Sequence, residues 1–325
     1  MDVRIIGDGP QAAVLVGVLA AENQGVIWNP DANGDSRLKA LKRRKEIRLN
    51  LPWGWVRTGA FRLSSSRLLK AGELGVVAFR TSEAQGAIGG KDRTLLVLND
   101  GLRTGTAGGA NHSIVPGTAV HRGLCLLDAL EWDPGMVELT CTQPRLIVES
   151  CTELGELQGC LKARRIAVQE VEDLSPYRNA LQIRDLLDLP VALCHSTLAN
   201  FLSYPEGREI AVSLLEEGLR LFSHQELPLS RLPDPDPREL LQRLKRKPQG
   251  FDKLRHLPDR GYGAALQSLL RGEAQAAGEP NRRILRRSSQ TGIDPGWNWA
   301  ITQKINRVIR VGFYRDPVEL YNALR

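Results

Sequence analysis

The chain has 325 residues, 42% of them hydrophobic and 25% charged, with a formal net charge of +7. That is enough chain for two domains with real cores and an ordinary composition for a soluble globular protein. Five cysteines (Cys125, Cys141, Cys151, Cys160, Cys194) at irregular spacing argue against a disulfide framework or a zinc site, and no metal is expected. The apolar run Ala12–Ala21 is about half the length that spans a bilayer, so the reading is a cytoplasmic protein with no membrane span.

In chain order, Val3–Ile6 reads as a short buried strand bounded by glycine. Pro10 suits the first turn of a helix, where its missing N–H costs nothing, and Gln11–Ala21 continues that helix. Gly25–Trp28 reads as a second strand, completing a βαβ start. Arg37–Lys45 is a basic helical stretch, and Glu46–Asn50 and Trp55–Leu63 read as a hairpin around Pro52-Trp53-Gly54. Leu74–Phe79, Thr94–Leu98, Met136–Thr140, Arg145–Glu149 and Arg165–Glu170 are further strand candidates, with a helix near Leu154–Arg164. From about Ser175 long helical patterns take over: Tyr177–Leu202, Arg208–Phe222 and Tyr262–Ala277. Pro- and charge-rich residues make 227–258 a loop or irregular insertion. The fold class is therefore α/β plus α, with a Rossmann-type dinucleotide-binding domain over 1–172 and an all-helical domain over 173–325.

Gly7-x-Gly9-x-x-Ala12 follows a strand and opens a helix. The first glycine permits a tight turn, the second lets backbone approach a pyrophosphate, and small Ala12 allows close helix–strand packing. Gly7, Gly9, Pro10, Gln11 and Ala12 are thus the cofactor loop. At the end of the second strand the usual acidic ribose ligand is replaced by neutral Asn29, with Arg37 and a basic run through Lys45 behind it. That favours NADP(H) over NAD(H).

These features, with three later stretches, resemble ketopantoate reductase of the 6-phosphogluconate dehydrogenase-like superfamily. The stretches are Leu95–Leu102, Ser196–Gly207, and Ala264–Gln267 through Asn281 to Gly292-Ile293-Asp294-Pro295-Gly296-Trp297-Asn298. The resemblance implies a Rossmann domain followed by a helical domain, and adds Arg80 and Asp100 as cofactor contacts. It also implies that the family's chemistry is missing. Asp188 stands where the family has its lysine general acid, and Ala192 and Ser196 stand at two asparagines. Ala264 replaces a serine, and Ala276 the glutamate that serves the substrate hydroxyl. A carboxylate cannot supply the lysine's cationic donor.

One other catalytic candidate comes from the residues. His195 follows Asp188 by seven positions, which on one continuous helix puts both on one face. The expected protein is a divergent, non-catalytic, NADP(H)-binding relative with a regulatory or scaffolding role. The alternatives are an NADPH-dependent reductase of another carbonyl substrate, and a basic interaction scaffold with a vestigial cleft. Arg282, Arg283, Arg286 and Arg287 share one helix face. They suit a solvated surface or an acidic protein partner rather than nucleic acid, for which no module is present. A dimer is compatible with the sequence.

Overall fold

The computed structural model describes residues 2–7, 9–22, 24–30, 35–78, 88–98, 114–141, 143–150, 154–233, 236–246, 264–270 and 272–325. Two compact units result, Met1–Leu174 and Ser175–Arg325.

The first unit opens β1 (Asp2–Ile6), α1 (Pro10–Ala21), β2 (Val26–Asn29) and α2 (Asp35–Arg44). Two strands follow, β3 (Ile47–Leu51) and β4 (Gly54–Thr58), then β5 (Phe61–Leu63), β6 (Glu73–Ala78) and β7 (Thr94–Leu98). The unit closes with β8 (Ala119–Leu126), β9 (Ala129–Asp133), β10 (Met136–Leu139), β11 (Arg145–Glu149), α3 (Leu154–Ala163) and β12 (Ala167–Val171). Among the described residues these form an eight-stranded sheet, β12-β11-β8-β7-β6-β1-β2-β5, and a four-stranded sheet, β4-β3-β10-β9. From β5 to β8 every pairing is parallel; β8 and β11 pair antiparallel. The order reverses at β1, which has β2 on one side and β6 on the other. Such a switch point is where doubly wound sheets hold ligands.

Helix α1 is buried almost throughout, from Pro10 to Ala20 apart from Gln11. A helix apolar all round needs cover on every side. Here it shares one core with Val3, Ile5 and Val76 of the large sheet and with Leu49, Val56 and Val137 of the small one. The expected strand Trp55–Leu63 is in fact two. β4 pairs antiparallel with β3, while β5 leaves for the large sheet and pairs with β2. Phe61 there meets Trp28 edge to face at 6.1 Å. β9 gave no alternating signal; it exists because Pro134-Gly135, with Gly135 at φ 80°, turns the chain back into β10.

In the second unit, α4 (Ser175–Arg184), a 3₁₀ turn (Asp185–Leu187), α5 (Asp188–Leu193) and α6 (Leu198–Ser203) replace the continuous helix expected over Tyr177–Leu202. Proline supplies one reason. Pro190 has no N–H for the Leu186 carbonyl, so the helix tightens at 185–187 and restarts at Asp188. The long α7 (Pro205–His224) turns Ile210, Ala211, Leu214, Leu215, Leu221 and Phe222 into the core. The segment expected to be irregular contains α8 (Pro237–Lys245), capped by Asp236, whose carboxylate accepts from the Arg238 and Glu239 N–H groups. Further helices follow: α9 (Ala264–Leu270), α10 (Ala274–Ala277), α11 (Glu279–Thr291), α12 (Gly296–Gln303) and α13 (Ile305–Val311). The chain closes on α14 (Pro317–Leu324), where Asp316 accepts from the Glu319 N–H and Pro317 occupies the first turn. Leu320 and Tyr321 join the unit's own core, and burying a leucine of this kind contributes about 2 kcal/mol. No helix among the described residues is long and apolar enough to cross a membrane.

Candidate functional site

Registers place Ile6 beside Asn29 and Val77, and Ala78 beside Leu98, so four parallel strands end along one edge. Gly7 leaves that edge at the switch point. Its N–H donates to the Asn29 carbonyl at 3.0 Å, and its own carbonyl accepts from the Trp28 indole N–H at 3.1 Å. Gly7 and Gly9 have φ of 136° and 114°, a region side chains rarely adopt. At Gly9 a Cβ would meet only the Gln11 side chain, at 3.9 Å, so backbone conformation rather than space requires glycine.

Gly9 caps α1 without a side-chain bond, and the first turn holds no acid. Pro10 has no N–H and the Ala13 N–H goes to the Gly9 carbonyl, so among the described residues the Gln11 and Ala12 amides are the donors this helix start has left over. Ala12 itself is fully buried against the sheet. Asn29, at the end of β2, is 4% exposed, and its Nδ2 has no hydrogen-bond partner among the described residues. An unmet buried donor costs about 1–3 kcal/mol. This edge therefore presents donors suited to phosphate and ribose oxygens, and a dinucleotide fits them. Trp28 is fully buried, with its indole bonded to the loop's Gly7. Arg37 lies in the first turn of α2. The far end of that basic run is committed elsewhere: Arg44 donates to Asp133 at 2.5 Å and to the Pro134 carbonyl at 2.8 Å. Arg80 and Asp100 lie outside the described residues.

In the second unit the expected Asp188–His195 helix face does not exist. α5 ends at Leu193, and His195 sits in the left-handed region at φ 46°. The His195 N–H donates to Ala192 O at 3.0 Å and the Ser196 N–H to Val191 O at 3.1 Å. Those two bonds are a Schellman ending, with histidine at the position glycine prefers. The exposed imidazole stacks on Phe313 at 4.9 Å. Asp188 is the first residue of α5, where a carboxylate complements the helix dipole. Ala192 is buried. Ser196 donates through Oγ to the Thr197 carbonyl at 3.2 Å and accepts from Asn200 Nδ2 at 2.8 Å. Ala264 opens α9 and Ala276 lies in α10. Burial pushes the Cys194 thiol up to about 12, which makes it inert.

Pro190 and Glu217 were not singled out from the sequence, yet both anchor a buried polar network. Asn281 donates through Nδ2 to the Leu186 carbonyl that Pro190 leaves open (3.3 Å) and to Asn298 Oδ1 (2.9 Å). Glu217 accepts from the Trp297 and Asn298 N–H groups and from Asn298 Nδ2, at 2.7, 3.0 and 2.8 Å. A local cap would be a Ser, Thr, Asp or Asn at the helix's own N-cap; Pro295 stands there, and Glu217, 80 residues away, gave no such signal.

No protein-family model matches the chain, and no curated protein does. Solved structures do. A ketopantoate reductase from Ralstonia eutropha JMP134 is 17% identical with a TM-score of 0.66, covering 95% of this chain and 99% of that one. A 2-dehydropantoate 2-reductase from Methylococcus capsulatus is 14% identical, with a TM-score of 0.62 and coverage of 95% and 96%. The fold is that of ketopantoate reductase. D-mandelate dehydrogenase, solved with NADH and anilino(oxo)acetate, shares it at 11% identity, TM-score 0.66 and coverage of 95% and 99%.

Asn281 and Asn298 are both fully buried. The basic face of α11 is likewise tied down within the chain. Arg283 and Arg286 reach Glu279, Arg282 reaches the Gln275 and Ala274 carbonyls, and Arg287 reaches Gln225 and lies 5.1 Å over the Phe222 ring. Burial raises the Glu279 carboxyl, but Arg286 and Arg283 outweigh it and hold the group below the usual range.

Proposed function

We propose that this protein binds a nicotinamide dinucleotide, NADP(H) in preference to NAD(H), and does not reduce ketopantoate. The observation that carries the binding reading is the buried Asn29 amide, which has no partner among the described residues and sits at the switch point beside the first-turn N–H groups of α1. A neutral donor there accepts a 2′-phosphate as readily as a hydroxyl. The D-mandelate dehydrogenase of this fold was solved with NADH, which supports a dinucleotide.

Asp188, Ala192, Ser196, Ala264 and Ala276 carry the second half of the reading. Asp188 is a carboxyl group in the first turn of α5 and offers no cationic proton donor. His195 is engaged as a helix-ending residue. The role that remains is a regulatory or scaffolding one, with the dinucleotide as its signal. The test is NADPH oxidation with ketopantoate, using wild-type protein and an Asp188→Lys/Ala276→Glu variant. No turnover by the wild type is expected; ketopantoate-dependent oxidation at enzymatic rates would overturn the proposal. A second reading, reduction of another 2-oxo acid, is favoured by the D-mandelate dehydrogenase of this fold. It predicts NADPH oxidation with an aromatic 2-oxo acid.

A further inference from the structure

The outer face of the four-stranded sheet takes no part in the cofactor loop. Its registers line up Trp55 of β4, Asn50 of β3, Glu138 of β10 and Leu130 of β9 across the strands. Trp55 and Trp132 are 72% and 63% exposed, one on each edge strand. Trp132 owes its place to a bulge in β9. Glu131 and Asp133 pair with the consecutive residues Val137 and Met136, so Trp132 is the extra residue and is turned out of the ladder. Its indole N–H donates to Glu138 Oε2 at 3.1 Å, and Asn50 Nδ2 donates to Glu138 Oε1 at 3.4 Å. A tryptophan ring thus stands on either side of an amide–carboxylate pair.

Three features select the chemistry of a ligand. The face carries Arg44, Arg48 and Arg57 beside Glu46, Asp133 and Glu138, equal in number and opposite in sign, and the arginines already donate to Asp133 and Glu46. Such a face exerts no long-range pull on a polyanion or an anionic membrane. Asn50 and Glu138 separate the two tryptophans, which therefore do not form the continuous apolar centre of a protein interface. In that gap the amide both donates and accepts, and each carboxylate oxygen can accept more than one bond. Flat π faces around paired hydrogen-bonding groups match a sugar ring, with C–H groups on its flat side and hydroxyls around its rim.

We propose that this face binds a neutral oligosaccharide. Trp55 and Trp132 stack on different sugar rings, and Asn50 and Glu138 bond the hydroxyls between them. Strands β4 and β10 lie two strand spacings apart, about 10 Å, so the ligand is a chain of sugars rather than a monosaccharide. The face is open rather than concave, so binding is weak, with a dissociation constant of roughly 0.1–1 mM.

Calorimetric titration of the full chain with cellohexaose, maltohexaose, xylohexaose and chitohexaose, each to about 10 mM, tests this. At least one should bind. Trp55→Ala and Trp132→Ala should each weaken that binding at least roughly tenfold, with an unchanged circular dichroism spectrum because both side chains are exposed. Trp55→Tyr should keep most of it, since a ring still stacks. Raising sodium chloride to about 0.5 M should change the affinity less than about twofold. Binding of none of the four would overturn the proposal. Binding indifferent to both alanine changes would overturn it equally and place the sugar elsewhere, and binding lost in high salt would show an ionic contact instead.

Discussion

Asn281 provides the sharpest test of the helical unit. Asn281→Ala removes the Nδ2 donor shared by the Leu186 carbonyl and Asn298 Oδ1, in a position with no solvent exposure. Each buried acceptor left unmet costs about 1–3 kcal/mol. The loss is offset by roughly 1 kcal/mol, because Asn281 Oδ1 itself has no partner among the described residues. The expected destabilisation is therefore about 1–5 kcal/mol. Pro190 makes the argument specific. Pro190→Ala restores an N–H that can serve Leu186, so it should hurt less in the Asn281→Ala background than alone, with a coupling of about 1 kcal/mol. Urea unfolding followed by far-ultraviolet circular dichroism, read on the helical transition, measures all four proteins. A loss under about 0.5 kcal/mol for Asn281→Ala, or strict additivity with Pro190→Ala, would refute the network.

Other outcomes follow from single sites. His195→Gly should stabilise by about 0.5–1 kcal/mol in thermal or urea unfolding, because glycine occupies the left-handed position without strain; a loss of stability would show that the imidazole's stacking on Phe313 dominates. Gly9→Val should weaken dinucleotide binding at least about tenfold by calorimetry while leaving the fold intact, since the strain is in φ and not in crowding. Unchanged affinity would remove the loop from the site. Glu73 governs part of the acid limb. Burial pushes its carboxyl up, but the Arg4 hydrogen bonds and the Lys70 N–H outweigh that and hold it below the ordinary value of 4.5. A depressed carboxylate contributes stability above that value and loses it as pH falls through the folded one. Glu73→Gln should thus cost about 3–5 kcal/mol at neutral pH, as for a broken buried ion pair, and flatten the decline below pH 4.5. An unaltered acid limb would exclude this pair from it.

The first unit was largely legible because its signals are local. A strand, Gly7-x-Gly9 and a proline-led helix follow one another within twenty residues, and the strand Thr94–Leu98 matches β7. What failed involved distant partners. β5 left the expected hairpin because Phe61 packs on Trp28, which periodicity cannot reveal. The single helix over Tyr177–Leu202 failed because apolar spacing outweighed Pro190 in the reading, and with it went the helix face expected to carry both Asp188 and His195. Glu217 and Asn298 are 81 residues apart, so nothing in the sequence joins them. The placements of Gly7, Gly9, Pro10, Gln11, Ala12 and Asn29 at one strand edge follow from the βαβ start, whereas Arg80 and Asp100 fall outside the described residues.

The central claim is a live dinucleotide site without the family's chemistry, and calorimetric titration of the full-length protein with NADPH and NADH tests it most directly. Fluorescence of Trp28, whose indole is hydrogen-bonded to the Gly7 carbonyl, gives an independent readout on the same samples. The account predicts saturable binding of both, NADPH the tighter, abolished or strongly weakened by Gly9→Val. Absence of binding at millimolar cofactor would contradict it and leave the loop at Gly7–Ala12 a structural inheritance.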